Sequence, residues 1–263
     1  MEPTFSEFSY GYALTQELTN GSLGSLTAAP VFPSLVAEGR AGGGYDVHLP
    51  FSGIALFIQF KVSHYLLRSN SREWPQYGSP YYRMYLRPLR HSDQHDLLRD
   101  LENAGNAVYY VAPRFHTVEE LNEAYASRNV HSRSAFFSPL DIGSLPTIDQ
   151  HYLTFDCSIA GAFLWSEEPR KLKHSHSSEA FKDMLTKQVK EKGSTIDNLT
   201  FERLTAGMVQ ILDNTARETD RLKELQAQIS SEKQRIPEAP AFATYLARLF
   251  FDSELFVVGE LNI

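Results

Sequence analysis

Two apolar runs dominate the pattern of the chain. Residues 54–62, IALFIQFKV, are apolar except at Gln59 and Lys61, and residues 107–113, AVYYVAP, form a second run stopped by Pro113. Short runs rich in aromatic and β-branched residues read as strands buried on both faces. YDVHL precedes the first run across PFSG, whose Pro and Gly read as a hairpin turn that sets Leu49 opposite Ile54. YYRMYLRP, SAFFSPL, HYLTFD and SELFVVGEL are further strand candidates. SEFSYGYALTQELTN reads as a helix capped by Ser6, with Phe8, Tyr12 and Leu18 on one face. SDQHDLLRDLENAG has Ser92 as its cap and Gly105 at its end, and TVEELNEAYAS carries a Thr117–Glu120 capping box. AFATYLARLFF is a fourth helix. Residues 200–235 read as one long helix, because apolar residues recur at Phe201, Leu204, Met208, Ile211, Leu222, Leu225 and Ile229.

Up to residue 165 the order is helix, hairpin, strand, helix, strand, helix, strand, strand. That mixture predicts an α/β fold with a mixed central β-sheet flanked by helices. After Trp165 the chain turns charged and poor in core residues. The expected division is therefore a core at 1–165 and a mostly helical C-terminal extension at 166–263. The long helix at 200–235 would offer a surface for a protein partner or self-association, and the final strand would return to the sheet.

Composition narrows the class. The chain has 263 residues with a formal net charge of -7, which argues against a surface coated in phosphate-binding charge. A single cysteine, Cys157, excludes an intrachain disulfide and a cysteine-built zinc site. The first residues carry no basic stretch followed by a long apolar run, and no run nears the ~18 residues of a membrane span. The expectation is a cytoplasmic protein with no membrane partner. Charge is uneven, however. Lys61, Arg68, Arg72, Arg83, Arg87, Arg90 and Arg99 outnumber Glu73, Asp93 and Asp96 within residues 61–99, and Tyr65, Trp74, Tyr77, Tyr81, Tyr82 and Tyr85 interleave with them. That mixture suits phosphate contact and base stacking. HSHSS, from His174 to Ser178, reads as a loop.

Strand alternation puts Gln59 and Lys61 on one face. With the PFSG hairpin in the assumed register, Asp46 falls opposite Phe57 and joins them. A carboxylate, an amide oxygen and a lysine at one place suit phosphodiester hydrolysis. Asp46 and Gln59 would offer hard oxygens to Mg²⁺ or Mn²⁺, and Lys61 would orient water or offset developing charge.

YDV followed by QFK resembles the signature of the PD-(D/E)XK nuclease superfamily, the restriction-endonuclease-like fold. Its D…QXK form is similar to that of the Mrr-type restriction enzymes. The resemblance covers roughly residues 5–155. It implies a Mg²⁺- or Mn²⁺-dependent endonuclease acting on nucleic acid, chiefly double-stranded DNA, in bacterial restriction or antiphage defence. It also implies an acidic residue on the first helix completing the metal site, with Glu17 matching and Glu38 competing, and a Gln on the following helix, matched by Gln94. Arg68, Arg72, Arg83 and Arg87 would contact nucleic acid. Two departures stand out: no Pro precedes Asp46, and uncharged Gln59 replaces the usual second-strand acid. The alternative is a non-catalytic nucleic-acid- or partner-binding module of the same fold.

Overall fold

The computed structural model describes residues 1–20, 49–88, 92–146, 151–156, 161–166, 168–174, 176–215 and 219–259. Its centre is strand β1 (Leu49–Phe60), which runs parallel to β4 (Ala107–Pro113) and antiparallel to β10 (Glu254–Gly259). β5 (Ser134–Phe137) borders β4, and β9 (Ser194–Ile196) pairs with the start of β1. The sheet order β10-β1-β4-β5 is mixed, in agreement with the α/β expectation.

The long apolar run now has its reason. β1 is central, so both of its faces are covered. Leu56 and Ile58 pack with Leu14 and Leu18 of α1 (Glu7–Thr19), Leu121 of α4 (Val118–Ala126) and Phe181 of α6 (Ser178–Lys192). Phe57 faces the other way, toward Leu98 of α3 (Gln94–Asn103), Met208 of α7 (Asn198–Thr215) and Leu246 of α9 (Ala239–Phe251). A second sheet, wholly antiparallel, has the order β2 (His64–Leu66), β3 (Tyr81–Leu86), β6 (His151–Phe155), β7 (Ala162–Trp165), β8 (Pro169–Lys171). Its Met84, Leu153 and Leu164 join the cluster around Phe57. The short α2 (Trp74–Tyr77) and α5 (Pro139–Ile142) and the longer α8 (Thr219–Arg235) complete the described elements.

Local signals behave as the sequence predicts at several ends. Ser6 Oγ accepts the Ser9 amide at 3.1 Å, and the Thr117–Glu120 capping box is fully formed. Gly105, just past α3, has φ 98°, a conformation glycine adopts without steric cost.

Four expectations are corrected. Residues 49–60 form one continuous strand, so PFSG is not a turn and Leu49 does not pair with Ile54. The register against β9 shifts between Leu49 and Ser52, and proline and glycine suit such a bulge as well as a turn. The register that set Asp46 beside Gln59 loses its hairpin, and Asp46 itself lies outside the described residues. On α1, Phe8 is 81% exposed, and the buried side consists of Tyr10, Gly11, Ala13, Leu14, Glu17 and Leu18. The 200–235 stretch is two helices, not one. Gln226 Nε2 donates to Asp213 Oδ1 at 3.3 Å across thirteen residues, a separation that a continuous helix would stretch to ~20 Å. α8 therefore doubles back, and Leu225 and Ile229 pack on the chain's own core. Finally, residues beyond 165 are not an appendage. They supply β9 and β10 to the first sheet and α6, α7 and α9 to its two faces.

Candidate active site

β1 ends in a polar corner. The Lys61 amide extends the parallel ladder by donating to Val111 O at 2.9 Å, so strand alternation continues through it. Phe57, Gln59 and Lys61 leave on one face, while Ile58 and Phe60 leave on the other. Gln59 is 1% exposed and Lys61 9%, so both polar heads sit at the edge of the core.

Asp252 is the partner that Gln59 meets. Gln59 Nε2 donates to Asp252 Oδ2 at 2.9 Å. Gln94, the first residue of α3, donates its Nε2 to the same oxygen at 2.7 Å. Asp252 caps the C-terminus of α9 with φ 47° and ψ 42°, and the chain turns there into β10. β10 pairs with β1 through Ile58 and Glu254. That pairing brings the turn at Asp252 to the end of β1, within hydrogen-bond reach of Gln59. Burial pushes the Lys61 ammonium below its ordinary pKa. Glu7 and Asp252 pull it back up, and Arg87 adds to the lowering.

A cavity of ≈ 500 Å³ borders the cluster, lined by Glu7, Tyr12, Phe60, Arg248, Asp252 and Glu254 among others. Arg248 and Glu254 close part of its wall as an ion pair at 2.6 Å. A second cavity of ≈ 690 Å³ is lined by Arg87, Gln94, Gln228 and, again, Asp252. Asp252 thus stands at the junction of two openings.

The other expected residues fall as follows. Glu17 is buried on α1, where its Oε2 accepts the His131 amide at 2.7 Å and its Oε1 lies 3.2 Å from His131 Nδ1. It fastens α1 to the loop after α4 and is not among the groups gathered at Asp252. Glu38 and Cys157, like Asp46, lie outside the described residues. Arg83 is held 3.2 Å from Glu73 and lies 4.6 Å above the Tyr152 ring, and Arg72 lies 5.5 Å from the Trp165 ring centre. Arg68 and Arg87 are exposed, and Arg87 lines the second of Asp252's two cavities. The tyrosines largely pack together: Tyr65 against Tyr82 at 4.9 Å and Tyr77 against Tyr81 at 4.8 Å. In HSHSS, His176 is buried with Nδ1 3.1 Å from Phe136 O, and His174 Nδ1 stands 3.2 Å from Asp141 Oδ1.

Among the described residues no three His, Cys, Asp and Glu side chains are arranged to hold a metal. Amide oxygens are a separate matter. Gln59 Oε1 is buried without a hydrogen-bond partner among the described residues, an uncompensated hard oxygen of the kind Mg²⁺ takes. One site residue escaped the sequence reading, Asp252; the neighbouring carboxylate Glu7, which lines the same cavity without touching either amide, went unread with it. The one available signal for Asp252 was the final strand's return to the sheet, which brings the preceding turn to the end of β1. Compared with family models, curated proteins and solved structures, the chain matches none. No helix among the described residues is long and apolar enough to cross a membrane.

Proposed function

We propose that this protein is a metal-dependent nuclease of the restriction-endonuclease-like class, cutting phosphodiester bonds in DNA. One observation carries the reading: Gln59 and Lys61 leave β1 on the same face, buried, with Gln94 drawn to the same point. A structural strand end has no need of a buried amide and a buried ammonium side by side.

The uncompensated Gln59 Oε1 fits a hard divalent cation, and Gln59 with Gln94 would help hold it. Mg²⁺ or Mn²⁺, when bound, would supply Lewis-acid charge and acidify a water. Lys61 would orient the attacking water and offset charge on the phosphoryl oxygens. Its ammonium does more there than in bulk water, because Lys61 is only 9% exposed. Arg87, exposed beside Gln94, suits contact with a neighbouring phosphate. The bacterial restriction or antiphage setting follows from the YDV…QFK resemblance and belongs to the same proposal.

A second reading, a non-catalytic binding module, is favoured by one observation. Asp252 accepts both amides, and that arrangement is already hydrogen-bonded without a cation. Cleavage of supercoiled plasmid and of single-stranded RNA with Mg²⁺ or Mn²⁺ separates the readings. The nuclease predicts cutting by wild type and none by Lys61→Ala. Equal cutting by both proteins, or none by either, removes it.

A further inference from the structure

We infer that Asp252 is the carboxylate of the metal site, supplied from the C-terminal end of α9 in place of the acid that β1 lacks at Gln59. The inference rests on the metal-dependent nuclease reading and names the charged ligand that reading leaves open.

Charge comes first. Gln59, Gln94 and Lys61 alone give a site with two neutral amides and a cation. Mg²⁺ is usually held by one or two carboxylates, waters and substrate phosphates, so a purely amide pocket would not retain it. Asp252 is the carboxylate that both amides touch. Spacing comes second. The two contacts to Asp252 Oδ2 measure 2.9 and 2.7 Å. Ligand oxygens at 2.0–2.1 Å from an octahedral Mg²⁺ stand about 2.9 Å apart along an edge. A half-turn of each amide therefore exchanges donor for acceptor at the same spacing. It presents the now uncompensated Gln59 Oε1 beside Asp252.

The backbone makes the third point. Asp252 and Arg128 are the non-glycine residues with positive φ among those described. A left-handed helix cap is met best by glycine, and by asparagine at little cost. Capping alone does not call for a carboxylate at this position. Ser253 N donates to Ala247 O at 3.0 Å, which fixes the turn whatever the side chain at 252. Glu7 shares the cavity and also acts on Lys61, so it is the rival carboxylate and the natural control.

The test uses the full chain and Mn²⁺ alone, read as loss of the free Mn²⁺ electron-resonance signal, then repeated with a DNA duplex. Asp252→Asn should weaken Mn²⁺ binding about tenfold or more and abolish cleavage, while Glu7→Gln binds as wild type does. Asp252→Gly, whose relief of the left-handed cap offsets part of the cost of leaving the Gln59 amide without its acceptor, should still fold and bind as poorly. Wild-type Mn²⁺ affinity in Asp252→Asn, with cleavage still dependent on Lys61, overturns the inference and leaves the nuclease standing. Mn²⁺ binding that is lost with Asp252, in a protein that cuts no nucleic acid, does the reverse. A wild type that neither binds Mn²⁺ nor cuts removes both.

Discussion

Gln59→Glu is the most informative single substitution. It puts a carboxylate where an amide now donates to Asp252 at 2.9 Å. Two unit charges at that distance repel by ~6 kcal/mol at an effective dielectric of 20, a ceiling that the solvent-facing side of Asp252 lowers. Position 59 is 1% exposed, so desolvation acts in the same direction. The protein has one escape, which is to bind a proton. Neutralising a carboxyl of unfolded pKa ~4.3 at pH 7 costs ~3.7 kcal/mol, and that caps the loss. The expected outcome at pH 7 in EDTA is a loss of ~3 kcal/mol, or a Tm lower by ~6–12 °C. The sign with pH follows from the raised folded pKa of the introduced carboxyl. The penalty is absent below about pH 4 and grows as pH rises toward that folded pKa, so it is smaller by ~2–3 kcal/mol at pH 5 than at pH 7. Urea unfolding followed by tryptophan fluorescence measures both gaps. Mg²⁺ should narrow the gap at pH 7, because a cation between the two carboxylates replaces the proton. Asp252→Asn in the same background should recover most of the loss, giving a large coupling in a double-mutant cycle. A variant as stable as wild type at pH 7 in EDTA would refute the contact between Gln59 and Asp252, and with it the geometry of the site.

Three further substitutions test the surrounding structure. Lys61 has a folded pKa below its unfolded value, so wild-type stability rises with pH up to about 10.4 and falls as the buried group takes its proton. Lys61→Met should therefore be more stable than wild type near neutrality while cutting nothing, with the two melting curves converging toward pH ~10; a Met variant less stable at pH 7 would contradict the burial. Tyr10→Phe removes a buried hydroxyl that donates to Ser134 Oγ at 2.7 Å, while Ser134 keeps its own bond to Val130 O. A loss of about 1 kcal/mol in urea unfolding is expected, and no change would mean that α1 is not seated against β5. Thr117→Ala opens the capping box of α4 and should cost about 1 kcal/mol, read as faster amide exchange through Val118–Ala126.

What the sequence disclosed, and what it hid, follows from how far each contact reaches along the chain. The capping box of α4, the cap of α1 and the all-buried strand β4 depend on neighbours a few residues away, and each was readable. PFSG misled because proline and glycine mark any break in a ladder, and here the break is a shift of register where β1 passes along β9. Phe8 and Tyr12 misled because an aromatic pair four residues apart reads as core, whereas α1 buries the stripe of Tyr10, Leu14 and Leu18 on the far side of the helix. Gln59 and Lys61 were legible because period two applies to any strand, whatever it pairs with. Their partner was not legible, since Asp252 lies 193 residues from Gln59 and 158 from Gln94. Only the pairing of β10 with β1 brings it there. Sequence order therefore favoured Asp46, thirteen residues upstream, as the companion of Gln59, and the long-range pairing favours Asp252. A chain that lacks the acid on its central strand can regain the charge from any element whose end reaches the same corner. Here that element is the turn between the last helix and the last strand.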